Sequence, residues 1–280
     1  MDIIKLVIEL KEKLKSFREN GKTIGFVPTM GALHKGHGEL VKRSVDENDI
    51  TVVSIFVNPT QFNNPDDLSL YPRTPAKDYK LLEDLGVDIV FSPPVDEIYP
   101  EPDKRLFDFK GLDKVMEGRF RPGHFNGVAQ VVSKLFELVM ADKAYFGEKD
   151  YQQLAIVKDM VKQLKMPIEI VGIPTIREES GLAMSSRNQR LTAKEANAAS
   201  AIYRVLIESV SMISDCSPEN VTSRVIEDIN SIPELQVEYF SIIDSKSLET
   251  LTSWNDAEGV VGCIAVHCGE VRLIDNIRYK

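Results

Sequence analysis

The chain has 280 residues, 43% of them hydrophobic and 28% charged, the make-up of a globular chain with room for one large or two ordinary domains. Its 34 basic and 43 acidic residues leave a formal net charge of −9, which speaks against a general nucleic-acid binder, because such proteins present a basic face. Cys216, Cys263 and Cys268 lie late in the chain without zinc-ligand spacing, so they read as reduced thiols of a cytoplasmic protein rather than as a disulfide frame or a metal site.

Ile3, Val7, Leu10, Leu14 and Phe17 recur at helical spacing and predict a helix over 3–18, ended by Asn20-Gly21. Charges break its apolar stripe, so it is no signal peptide, and no run in the chain reaches the roughly 18 apolar residues of a membrane span. Ile24-Gly25-Phe26-Val27 predicts a strand, Pro28-Thr29-Met30-Gly31 a turn, and Leu40, Val41 and Val45 a helix starting near His37. His34 and His37 fall where the turn becomes the helix. A helix N-terminus suits a phosphate, glycines allow close approach, and two imidazoles can donate to charge developing on phosphate oxygens. On spacing alone the pair is equally a surface pair or half of a metal site.

Ile50 to Val57 is a nearly continuous apolar run, as in a parallel strand buried on both faces, and it completes a βαβ unit. It ends in Asn58-Pro59-Thr60-Gln61-Phe62, and Pro59 with 63–65 predicts a loop. Ligands bind beyond the carboxyl ends of such strands, so Asn58 and Gln61 are placed to reach a hydroxy acid or an amine. They are also acceptable as ordinary loop amides. A helix over 75–85, a strand over 87–91 and an irregular stretch over 95–110, with a short strand at 107–109, follow. Gly118 to Phe125 holds two arginines, a histidine and two glycines. It reads either as a mobile lid over phosphates or as a solvated turn.

A buried helix over 127–140 leads to a strand at 144–147 and a helix from Tyr151 to Leu164. Between them Lys149 can neutralise a phosphate, Asp150 can accept from a ribose hydroxyl or help hold a metal, and Gln153 faces the same mouth. A solvated helix start explains the charges equally well. With a strand at 168–173 the pattern is an α/β, Rossmann-like parallel sheet. No G-x-G-x-x-G is present, which argues against a nicotinamide enzyme. Met184-Ser185-Ser186-Arg187 offers hydroxyls and a guanidinium suited to phosphate oxygens, or is simply a linker. Thr192 and Glu195 form a capping box. Helices at 192–213 and 218–230 and strands near 235–243, 260–267 and 270–274 then predict a smaller α+β domain with antiparallel strands. The expected division is a Rossmann-like catalytic domain over 1–175 and a C-terminal domain over 176–280 that closes over the active site.

His34-Lys35-Gly36-His37 resembles the H-x-G-H signature of the nucleotidylyltransferase superfamily. PTMGALHKGH, SIFVNPTQF, RPGHFNGV, YFGEKDYQQL and MSSRN, in this order between Gly25 and Asn188, with GEVRLIDN in the tail, are similar to the pantoate–β-alanine ligase (pantothenate synthetase) family. The resemblance implies condensation of (R)-pantoate with β-alanine, driven by ATP and Mg2+, through a pantoyl adenylate, with release of AMP and diphosphate. It implies a homodimer acting on small molecules, with neither nucleic acid nor membrane as partner. It places ATP on Met30-Gly31-Ala32-Leu33-His34-Lys35-Gly36-His37, Gly147-Glu148-Lys149-Asp150, Ile176 and Met184-Ser185-Ser186-Arg187. His34 and His37 are its catalytic pair, with His37 the proton donor. Gln61 would hold pantoate and border β-alanine, Gln153 would hold the other side of pantoate, and Asp78 is a candidate metal ligand.

Three other readings compete. A different H-x-G-H nucleotidylyltransferase would leave the nucleotide on its product, but the amides of Gln61 and Gln153 suit a single carboxylate, whereas a phosphorylated substrate calls for Arg or Lys. An RNA-binding, synthetase-like protein conflicts with the net charge of −9 and the lack of an anticodon-binding extension. A non-catalytic nucleotide module conflicts with the presence of His37, Lys149 and Arg187.

Overall fold

The computed structural model describes residues 1–62 and 68–280, so the loop expected at 63–65 lies outside the described residues. The chain forms two compact units. The first takes Met1–Asp113, Phe120–Glu148 and Gln153–Pro174, and the second takes Lys114–Arg119, Lys149–Gln152 and Thr175–Lys280.

The first unit is built on β1 (Asp2–Ile4), β2 (Ile24–Thr29), β3 (Ile50–Ile55), β4 (Ile89–Phe91), β5 (Lys143–Gly147) and β6 (Glu169–Ile173). They lie in the order β1-β4-β3-β2-β5-β6, and every pair is parallel. Its helices are α1 (Val7–Glu19), α2 (Lys35–Glu47), α3 (Pro75–Asp84), α4 (Val95–Ile98), α6 (His124–Val139) and, from Gln153 onward, α7 (Tyr151–Leu164), while α5 (Met116–Phe120) belongs to the second unit as far as Arg119. Alternate strand residues feed cores on opposite faces. Ile24, Phe26, Val52 and Ile89 pack with α1 and α6 residues, while Val27, Val53 and Val90 pack with Leu40, Val41 and Leu82. Burial on both sides is why these strands read as unbroken apolar runs. At Gly25 an added Cβ would lie 2.5 Å from Asn48 Nδ2, so a glycine is what lets α2 lie this close to β2.

Chain order reverses between β2 and β5, and at such a switch point an open α/β sheet leaves a crevice for ligands. The strands themselves widen it. The β2–β5 ladder covers only Gly25 and Phe26, whereas β2 pairs with β3 as far as Thr29. Pro28, which lacks an N–H for a central ladder, sits where β2 has already parted from β5.

Several expectations need correction. Residues 2–4 form an edge strand paired with β4, and the first helix begins only at Val7; three residues are too few to show a strand period. No strand forms at 107–109. There the Phe107 N–H donates to Asn126 Oδ1 at 3.0 Å, and Asn126 Nδ2 donates to the Arg105 carbonyl at 3.1 Å, so side-chain amides take the place of a neighbouring strand. Gly118 to Phe125 is mostly helical: α5 and α6 leave only 121–123 between them, with Gly123 in the left-handed conformation (φ +81°) as N-cap of α6.

In the second unit β7 (Leu235–Asp244), β8 (Val260–Cys268) and β9 (Val271–Arg278) form an antiparallel sheet. The helices α8 (Ala193–Val210) and α9 (Pro218–Asn230) pack on it through Ile202, Leu206, Val221 and Val225. Glu117 is anchored to this sheet by Arg272, at 2.7 and 2.8 Å, and by Tyr239, whose hydroxyl donates at 2.8 Å. Among the described residues no helix is long and apolar enough to cross a membrane.

Candidate active site

The H-x-G-H turn lies at the carboxyl end of β2. Its helix starts at Lys35, not near His37, because His34 is the N-cap. His34 Nδ1 accepts from the Gly36 N–H at 3.1 Å, and His37 Nδ1 accepts from the His34 N–H at 3.4 Å. The two rings lie 4.1 Å apart between centroids. A backbone N–H can only donate, so each Nδ1 must be the unprotonated nitrogen. The reciprocal cap therefore fixes both rings in the tautomer with the proton on Nε2. That is the donor form a phosphate oxygen needs, at a helix terminus that already favours anions.

The turn is held from below by Asp78. This carboxylate is 2% exposed. It accepts from the Ala32 N–H at 3.0 Å, the Leu33 N–H at 2.8 Å and the Thr74 hydroxyl at 3.1 Å. Gly31 and Ala32 both have positive φ, +80° and +49°, which turns successive N–H groups toward one anion. Asp78 is that anion. Its two oxygens are engaged by protons, which is the arrangement of a loop anchor rather than of a metal ligand. Among the described residues no cluster of three or more His, Cys, Asp or Glu could hold a metal ion.

Gln61 reaches the same turn, its Nε2 donating to Met30 Sδ at 2.9 Å. Asn58, expected to meet a ligand, is instead 1% exposed. Its Nδ2 donates to Gln61 Oε1 at 3.3 Å and to the Gly127 carbonyl at 3.2 Å, and its Oδ1 accepts from Tyr99 at 3.0 Å. Asn58 thus orients the Gln61 amide. His124, expected in a lid, is 6% exposed, and its Nδ1 lies 2.8 Å from the Gln61 carbonyl. Gly127 lets α6 touch the backbone of Thr60 and Gln61, since a Cβ there would lie 2.5 Å from the Thr60 oxygen. Asn58 and His124, expected to meet a ligand and to line a lid, thus hold Gln61 instead, and Tyr99 and Gly127 are supports that pattern reading does not single out. A pocket of about 290 Å³ opens beyond β2, β3 and β4, with Met30, Phe56, Arg73 and Asp78 in its lining.

Gly147 ends β5 at the other lip of the switch point, and the Glu148 N–H continues the edge by donating to the Ile173 carbonyl at 2.8 Å. Gln153 is half-buried in α7. Its neighbour Gln152 is a structural residue of the second unit, accepting from the Glu117 N–H at 3.0 Å and donating to the Val115 carbonyl at 2.9 Å.

The other expected nucleotide residues belong to the second unit. Lys149 Nζ lies 3.2 Å from Asp150, and the Asp150 side chain is 45% exposed. Ile176 and Met184 meet directly, the Met184 N–H donating to the Ile176 carbonyl at 2.9 Å. Ser185 caps the 3₁₀ turn Ser186–Arg190 by accepting from the Arg187 N–H at 3.3 Å.

The family model for pantoate-β-alanine ligase matches residues 2–278. The chain belongs to the pantoate-β-alanine ligase family. It is 55% identical to the pantothenate synthetase of Bacteroides thetaiotaomicron over 280 residues, covering all of this chain and 99% of that protein. It is 56% identical to that of Phocaeicola vulgatus over 282 residues, with full coverage of both. Among solved structures, the pantothenate synthetase of Thermus thermophilus superposes with a TM-score of 0.93 at 42% identity, covering 100% of this chain and 99% of that one. A pantoate-β-alanine ligase from Francisella tularensis, complexed with β,γ-ATP and β-alanine, superposes at 0.85 with 36% identity, covering 100% of this chain and 98% of that one.

Proposed function

We propose that the chain joins pantoate to β-alanine with ATP, forming the C–N bond of pantothenate and releasing AMP and diphosphate. The observation that carries this reading is a family match spanning 2–278 on a chain whose H-x-G-H histidines are locked as Nε2–H donors at the sheet's switch point. A carboxylate is a poor acyl donor, so the acid must first be activated. A pantoate oxygen attacks the α-phosphorus of ATP, the bond to diphosphate breaks, and pantoyl adenylate forms. The β-alanine amine then attacks the acyl carbon, loses a proton, and AMP leaves.

Both steps move charge among phosphate oxygens, so the protein contributes positioning and electrostatic stabilisation. In this reading His34 and His37 donate to phosphate oxygens, with His37 supplying the proton. Met30 to Lys35 and Gly147 to Asp150 border the nucleotide with Ile176 and Met184. Lys149, Arg187 and the hydroxyls of Ser185 and Ser186 hold the phosphates. Gln61 and Gln153 bind pantoate, and Gln61 later borders β-alanine. The half-exposed Asp150 carboxylate would hold a Mg2+ ion, which when bound would neutralise phosphate charge; Asp78, with both oxygens already accepting hydrogen bonds, does not fit that role. The same reading makes the protein a cytoplasmic homodimer.

The test is release of AMP and diphosphate from ATP and Mg2+ with pantoate, β-alanine, both or neither. AMP appearing only with both acceptors, together with pantothenate, is the expected result. AMP release indifferent to β-alanine, or nucleotide retained on the product, would assign the chain a different acceptor.

A further inference from the structure

Two successive residues of β9, Asp275 and Asn276, each reach a different segment of the second unit. Asp275 is buried, at 5% exposure, and pairs with Arg177 through a two-pronged contact of 2.6 and 2.9 Å. The same guanidinium donates to the Gly181 carbonyl at 3.1 Å and to the Asn276 carbonyl at 3.3 Å, and lies 3.5 Å from the centre of the Tyr203 ring. Arg177 is part of a small hairpin: it bridges Ala183, and the Met184–Ile176 hydrogen bond closes it. Asn276 turns to the other segment, its Nδ2 donating to the Lys149 carbonyl at 3.0 Å. Both residues lie in the paired part of β9, opposite Ile264 and Cys263 of β8. One strand, made rigid by its neighbour, therefore carries both the Lys149-Asp150 turn and the 176–184 hairpin that leads into Arg187.

We propose that Arg177, Asp275 and Asn276 are positioning residues for the nucleotide, holding the Lys149-Asp150 turn and the Ile176–Met184 hairpin in one fixed arrangement. This rests on the reading of Lys149, Ile176, Met184 and Arg187 as nucleotide contacts. The bidentate geometry is what matters at Arg177, because a lysine keeps the charge but not the fork. The donor is what matters at Asn276, because alanine leaves the Lys149 carbonyl without that partner.

The test compares the wild-type protein with Asn276→Ala and Arg177→Lys. The readouts are binding of a non-hydrolysable ATP analogue by calorimetry, KM for ATP and for β-alanine, and the melting temperature. Each variant is expected to bind the analogue about tenfold more weakly, the equivalent of one hydrogen bond. KM for ATP should rise in step while KM for β-alanine holds; the lost hydrogen bonds lower the melting temperature by a few degrees, but both variants stay fully folded at the assay temperature. Unchanged analogue affinity in both variants would overturn the proposal. So would an affinity loss that appears only where circular dichroism shows partial unfolding at the assay temperature, because that is the behaviour of plain fold support. A wild-type protein that binds the analogue but makes no pantothenate would refute the ligase reading and leave this one standing.

Discussion

The Asp78 carboxylate gives the sharpest separation between anchoring and metal binding. Replacing it with asparagine keeps the shape. One oxygen can still face the Ala32 or Leu33 N–H, but the amide presents a donor to the other. One buried N–H then loses its acceptor, a cost of about 1–3 kcal/mol. The backbone has reason to respond, because Ala32 is held in the left-handed region (φ +49°), where an L-residue is disfavoured by roughly 1–2 kcal/mol. Relaxing the turn relieves that strain and carries His34 and His37 away from their fixed positions. The expected result for Asp78→Asn is a kcat lower by about 10–100-fold, since each 1.4 kcal/mol is tenfold. Asp78→Ala, which leaves both N–H groups unpaired, should be worse. The assay is AMP release at saturating pantoate and β-alanine across a Mg2+ titration. Anchoring predicts the same Mg2+ dependence as wild type with a lower plateau. A variant with full kcat, or a defect that excess Mg2+ repairs, would refute the reasoning.

His37→Ala removes both a proposed phosphate donor and one arm of the cap; steady-state kinetics should show a loss of about 10²–10³-fold, while circular dichroism shows the fold retained. Gly127→Ala drives a Cβ against the backbone of Thr60 and Gln61, so KM for pantoate should rise about tenfold with KM for ATP unmoved, and denaturant unfolding should show about 1–3 kcal/mol lost. Arg105 hydrogen-bonds the Asp103 carboxylate and holds its pKa below the ordinary 3.8. A carboxylate with a lowered folded-state pKa stabilises the fold above its unfolded pKa and loses that contribution as pH falls through the folded value. Asp103→Asn should therefore melt lower than wild type near pH 7, and the gap should close below about pH 4.

What could be read from the sequence follows from the range of the forces involved. Continuous apolar runs at Ile24–Val27 and Ile50–Val57 mark parallel strands because both sheet faces are buried, and the H-x-G-H turn follows its strand directly. The helix start is masked for a local reason: the usual N-cap signal is Ser, Thr, Asp or Asn, whereas here an imidazole caps the helix, so the apolar positions alone point two residues too late. The supports of the site do not show in the sequence because their partners are distant. Asp78 is 46 and 45 residues from the N–H groups it holds, His124 is 63 from the Gln61 carbonyl, and Asn276 is 127 from Lys149. A sequence shows that a carboxylate or an amide exists, but not whether its lone pairs and protons are already engaged. Asn58 and Asp78 look like ligand-binding groups until burial and hydrogen bonds are known. Then both prove to hold the residues proposed to touch substrate, Gln61 in one case and the histidine turn in the other. Substitutions at these supports should therefore lower activity without removing a single substrate contact, though by less than loss of the histidine itself, which is why the Asp78 and Gly127 variants test the site's construction and His37→Ala tests its chemistry.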